Sequence, residues 1–144
     1  MALETIFQFL LAVFLGALIG LERETKRKEA GLQTYSLVAL GSCLLIVIAL
    51  LLAEDGVIPE PSSIFLAIGL GMGFIGAGVI FHREGKTEGL TTAAGLWVTA
   101  ALGLAVGTKL YFLAVFTTFL VLLIFVGLGF LEKKIFKQKY EEIK

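Results

Sequence analysis

Charge is scarce in this sequence and unevenly spread. Only 17% of its 144 residues are Asp, Glu, Lys or Arg, where a soluble domain carries about a quarter. Basic and acidic residues balance at twelve each, so nothing favours a nucleic acid as partner. A single cysteine, Cys43, rules out an internal disulfide and reads as a small buried residue. The one histidine, His82, is no metal site by itself, and no zinc or haem spacing occurs. Nor is there a nucleophile–base pair or a metal set that would suggest an enzyme or a cofactor. The opening MALET lacks Lys and Arg, and the apolar run after it ends in LERETKRK. A cleaved signal peptide needs a basic start and a small-residue cleavage site, so this run is expected to stay as a helix.

What the sequence has is apolar length. Hydrophobic residues make up 58%, and mean hydropathy is +0.95. Uncharged apolar runs fall at about 5–21, 34–53, 63–81, 89–107 and 110–131, each near the length that crosses a bilayer. The reading is an all-α integral membrane protein with five transmembrane helices over residues 1–132 and a basic cytoplasmic tail over 133–144. The loop ERETKRKEAGLQ holds four Lys/Arg, HREGKTE two and the tail five, while AEDGVIPEP holds none. If all five runs cross, the basic segments share one side. The positive-inside rule makes that side the cytoplasm, with the N-terminus outside and the C-terminus inside. Tyr35 and Tyr111 sit at span ends, as interface anchors do.

Residues 69–81, GLGMGFIGAGVIF, place five glycines within ten positions, and each costs about 1 kcal/mol against alanine in a helix interior. GMGFIG matches the dinucleotide pattern G-x-G-x-x-G, which carries meaning only between a strand and a helix. No strand pattern precedes it here. At 100° per residue, Gly69, Gly73 and Gly76 share one face, and Ala67, Gly71 and Gly78 the opposite one. Small residues let membrane helices approach closely, so span 3 is expected between two neighbours at the centre of the bundle. The same ladder recurs as Ala12, Gly16 and Gly20 on span 1, and as Gly95, Thr99, Gly103 and Gly107 on span 4. Spans 1, 3 and 4 are therefore the expected packed centre, with bulky span 5 facing lipid. The glycines leave a second reading open, a broken helix lining a substrate path. The spare small-residue faces also predict a homo-oligomer, a dimer through span 1 or span 4.

No ionisable group lies centrally in any run. Ser42, Thr99, Thr117 and Thr118 are expected to bond back to their own helix backbone. Charges gather at the cytoplasmic rim: Glu22, Arg23 and Glu24 close span 1, and Arg83 and Glu84 close span 3. Spans 2 and 4 begin on that side with GLQT and GLTTAA, so Thr34, Thr91 and Thr92 stand beside free helix N–H groups. Two helix starts with Arg23 and Arg83 would suit an anion such as phosphate or a carboxylate. Alternatively Glu22 or Glu84 fills that role internally, with Glu22–Lys26 and Glu24–Lys28 as i,i+4 pairs.

LGALIGLERE (15–24), AGLQTYSLVALGS (30–42), GMGFIGAGVIFHREG (71–85) and GLTTAAGLWVTAALGLAVG (89–107) occur in this order. Together they closely resemble the MgtC/SapB membrane-protein family over about residues 12–107. The resemblance implies a multi-pass protein of the cell inner membrane, with the namesake linked to growth in low magnesium and to survival inside macrophages. The namesake is thought to restrain the F-type ATP synthase, and a transport role has also been proposed. By matching motif, the resemblance points to Glu22 and Arg23, to Gly31 and Thr34, to Gly73, Gly76, Gly78, Arg83 and Gly85, and to Gly89, Leu90, Thr92, Ala93, Ala94 and Trp97. The chain departs from the pattern at Gln33, where many members have arginine. It departs again in PSSIFLAIG, where the namesake type has an arginine and a glutamine near Ser63 and Ala67. It also stops shortly after span 5, so the namesake's soluble C-terminal domain is not expected here.

Two functions follow as expectations. The first is regulation tied to magnesium or ion homeostasis, acting in the lipid bilayer by binding a membrane partner such as the ATP synthase. The second is a transporter or channel for Mg²⁺ or another small ion. Its support is the glycine-rich span 3 and the acidic loop with Glu54, Asp55 and Glu60, which hydrated Mg²⁺ would suit loosely.

Overall fold

The computed structural model describes residues 2–58, 60–83 and 85–130; the expected tail, 133–144, and Glu84 lie outside the described residues. The chain is helical: α1 (Ala2–Thr25), α2 (Leu32–Glu54), α3 (Ser63–Val79), α4 (Leu90–Gly107) and α5 (Tyr111–Leu123), the last running into a π-helical turn at Ile124–Leu128. Four helices are long and apolar enough to cross a membrane: α1, α2, α4 and α5 with its π-turn. At 17 residues, α3 is apolar but shorter.

Three helices end in the same backbone device. Arg27, Gly56 and Lys109 take positive φ, each followed by a residue whose N–H reaches five back: Lys28 to Arg23 O, Val57 to Leu52 O and Leu110 to Ala105 O. This is a Schellman turn. Glycine is its usual residue, but a cation there complements the negative end of the helix dipole, which suits Arg27 and Lys109. Between α3 and α4 the chain forms a two-stranded hairpin, β1 (Phe81–Arg83) and β2 (Lys86–Glu88), paired antiparallel. It gives way to α4 at Gly89, whose φ of +85° and contact with the Val79 carbonyl leave no room for a side chain.

The packed centre is α1, α2 and α4. The most extensive helix pair is α1 with α2, then α2 with α4. Close approach explains why: a Cβ at Gly16 would lie 2.7 Å from the Tyr35 carbonyl oxygen, and one at Gly20 2.7 Å from Leu32 Cα. Added to Gly103 it would strike the Ala39 carbonyl oxygen, and added to Gly107 the Ile46 side chain. These α1 and α4 ladders, expected to serve a second copy of the chain, are taken up by α2 within one chain.

The position of α3 corrects the expected centre. It packs on α4 and only slightly on α2, burying three residues, Ile68, Met72 and Gly76. A Cβ on Gly76 would meet Ala93 at 3.5 Å, but Gly69, Gly71, Gly73 and Gly78 have nothing within 4 Å of that position. The second small face thus has no helix against it in the chain, because α2 has already given its own small stripe to α1 and α4. Thr99 and Thr118 do bond back to their helices, to Gly95 O and Ala114 O. At the end away from the charges, buried Gln8 donates to Val106 O and Gly107 O at 3.2 and 2.9 Å, satisfying carbonyls that the end of α4 leaves open.

Candidate functional site

The charged groups of α1 meet the start of α4 and the π-turn at one end of the bundle. Arg23 is 3% exposed. Its Nε donates to Glu22 Oε2, and its guanidinium lies over the Phe125 ring, 3.6 Å from the centroid. A desolvated cation–π contact of this kind is worth about 2 kcal/mol. Lys26 Nζ pairs with Glu22 Oε1 at 2.5 Å and donates to the Phe125 carbonyl at 2.9 Å. A π-turn departs from the regular α ladder and recurs where a helix carries a functional feature; here its Phe125 supplies both the ring and the acceptor.

The neighbouring layer joins the α1–α2 loop to α4. Thr92 donates its hydroxyl to Glu29 Oε2, and the buried Tyr35 hydroxyl donates to the Thr92 carbonyl at 3.2 Å. Gly95 makes the space for this: a Cβ there would lie 2.6 Å from both Phe125 Cζ and the Tyr35 oxygen. Burial pushes the Glu29 carboxyl up, but the Thr92 hydroxyl, its own backbone N–H, Lys28 and Arg23 outweigh that, and it sits below its ordinary 4.5. Glu24 accepts from the Leu32 amide at 3.1 Å and so caps α2 rather than pairing with Lys28. Glu22 and Glu29 offset Arg23 and Lys26, so the cluster is neutral as a unit.

Of the residues expected at this rim, Glu22, Arg23 and Thr92 come together. Thr34 is half-buried on the first turn of α2 and lines a separate groove against α3. Arg83 is exposed on β1 and Thr91 is exposed at the start of α4; neither touches the Arg23 cluster, because the hairpin carries Arg83 away from the bundle. Trp97 is 56% exposed on the outer face of α4. Glu84 lies outside the described residues. Four partners were missed: Lys26 in its second role, Glu29, Tyr35 and Phe125. Tyr35 is fully buried rather than an interface anchor, and Phe125 faces inward from a helix that reads as lipid-facing. Lys26 alone had a sequence signal, its i,i+4 spacing from Glu22.

Among the described residues, no group of three His, Cys, Asp or Glu could hold a metal ion. The family model described as the MgtC family matches residues 9–134. YhiD of Escherichia coli (strain K12), named as a candidate magnesium transporter, is 40% identical over 129 residues, 86% of this chain and 60% of that protein. SrpB of Synechococcus elongatus is 38% identical over 138 residues, 88% of this chain and 76% of SrpB. MgtC of Brucella abortus (strain 2308) is 41% identical over 99 residues, 69% of this chain and 40% of MgtC. The chain thus spans 60% or less of YhiD and MgtC. No solved structure matches. With its model matched over most of the chain and the apolar helices to suit, the chain belongs to the MgtC family.

Proposed function

We propose that this chain serves a magnesium-related membrane function as a regulator, binding another membrane protein rather than conducting ions. The magnesium connection comes from the relatives, one of them named as a candidate magnesium transporter. The observation that carries the regulatory reading is the neutral cluster around Arg23. Its two carboxylates are taken up by Arg23, Lys26 and Thr92, so neither is spare for a cation.

The reading includes five crossings in the cell inner membrane, with the N-terminus outside. At 1.5 Å per residue, the 17 residues of α3 extend about 25 Å, the lower limit for a span. Only with α3 crossing do the basic loops fall on one side, as the positive-inside rule asks. A homodimer belongs to the proposal through the open flank of α3, since α1 and α4 have spent their small faces on α2.

Transport is the second reading, favoured by one observation: α3 is held mainly by α4 and is free on its other sides to shift. Purified protein in liposomes separates the two. Regulation expects Mg²⁺ flux no greater than in protein-free vesicles, together with a membrane protein that copurifies from native membrane. Mg²⁺ flux abolished by Glu22→Gln would overturn regulation and establish transport.

A further inference from the structure

A groove of about 910 Å³ runs between α2 and α3. Its walls are apolar, and small residues give it width: Gly41 from α2, and Ala67 and Gly71 from α3. Neither glycine has a neighbour within 4 Å of its absent Cβ. The groove extends to Thr34 on the first turn of α2, at the same end as the hairpin. Three observations fix that end: α4 begins beside Tyr35 and Glu29, α3 ends against Gly89, and β1 and β2 link them.

This rim is cationic. Arg83 and Lys86 face each other across the hairpin, both exposed and without an ion pair among the described residues. Like charges directly opposite on paired strands repel, and an anion placed against them removes that cost. Val79, where α3 ends, lies one turn beyond Ile75, the last groove residue on α3. At Thr34 the hydroxyl has no partner among the described residues. The Leu32 amide is taken by Glu24, while those of Gln33 and Thr34 remain open in the first turn, where a helix favours negative charge.

An apolar slot beneath two unpaired cations and a helix N-terminus matches one kind of molecule, an amphiphile with an anionic head. We propose that the groove holds an acyl chain of an anionic phospholipid, with its phosphate at Arg83, Lys86 and the start of α2. This stands whether the chain regulates or transports.

Native mass spectrometry of the full chain in mild detergent tests it, with phosphatidylglycerol and phosphatidylcholine added in equal amounts. One phosphatidylglycerol per protomer is expected, preferred over phosphatidylcholine by on the order of tenfold or more. Arg83→Gln and Lys86→Gln should each lower that preference about fivefold, the effect of one cation at an anionic surface. Gly71→Phe fills the groove from the α3 wall and Gly41→Leu from the α2 wall, both where space is open, and either should abolish the adduct while thermal unfolding stays near wild type. Equal retention of the two lipids would overturn the proposal, as would an adduct that survives both filled grooves. So would a dimer that Gly71→Phe dissociates, since a second copy would then be the occupant.

Discussion

The glycines of α1 and α4 and those of α3 are the same residue in the same kind of ladder, yet their surroundings are opposite. Around Gly16, Gly20, Gly103 and Gly107 an added methyl group would collide with α2; around Gly69, Gly71, Gly73 and Gly78 it would meet nothing within 4 Å. The cause lies on the facing helix. Ala39, Ser42 and Cys43 form a small stripe on α2 that receives Gly16 from one side and Gly103 and Gly107 from the other. Toward α3, the same helix presents Leu37, Val38 and Leu45, which hold the backbones apart. A ladder of small residues marks where a helix can be approached. Whether it is approached depends on what the neighbour has left to offer.

The sharpest way to break this comparison is to place one side chain in both settings. Gly103→Leu should cost more than about 3 kcal/mol, at or beyond the upper end of overpacking, because the obstacle is the Ala39 carbonyl and not a flexible side chain. Gly73→Leu should change stability by no more than about 0.5 kcal/mol. Thermal unfolding in detergent measures both, and equal losses would erase the distinction.

A comparable loss is expected at the charged end, which ties α1 to α4 and α5 and leaves α3 out. Arg23→Met strands Glu22, whose side chain is 10% exposed, and breaking a buried pair from one side costs about 3–5 kcal/mol. Adding Glu22→Gln should restore most of it. A single variant as stable as wild type would show the cluster to be ornamental.

The smallest effect belongs to the Thr92–Glu29 hydrogen bond. Thr92→Val should cost about 1 kcal/mol, and the cost should depend on pH. Because Glu29 is held below its ordinary 4.5, its contribution is full above that pH and fades as pH falls through the lower folded-state value. The gap between variant and wild type should therefore narrow in acid. A gap that widens there would reverse the sign of the assignment.

Much of this architecture is legible in the sequence, because hydropathy and helix punctuation are local. The run read as 63–81 becomes a helix over Ser63–Val79, cut short by the hairpin. Glu22–Lys26 is legible for the same reason. The pairing of Glu29 with Thr92 joins residues 63 apart, and nothing in either neighbourhood announces it. Phe125 hides in a bulky apolar run, and only the gap at Gly95 gives its ring a place inside. The location of α3 failed for a related reason: two small faces describe that helix alone, while packing is decided by pairs.

Brominated-lipid quenching tests the peripheral place of α3 most directly. Phe74 is 85% exposed, so Phe74→Trp in a Trp97→Phe background adds one reporter on α3 without crowding it. In reconstituted protein, lipids brominated along their acyl chains should quench that fluorescence strongly. Fluorescence indifferent to the bromines would put α3 back among the buried helices.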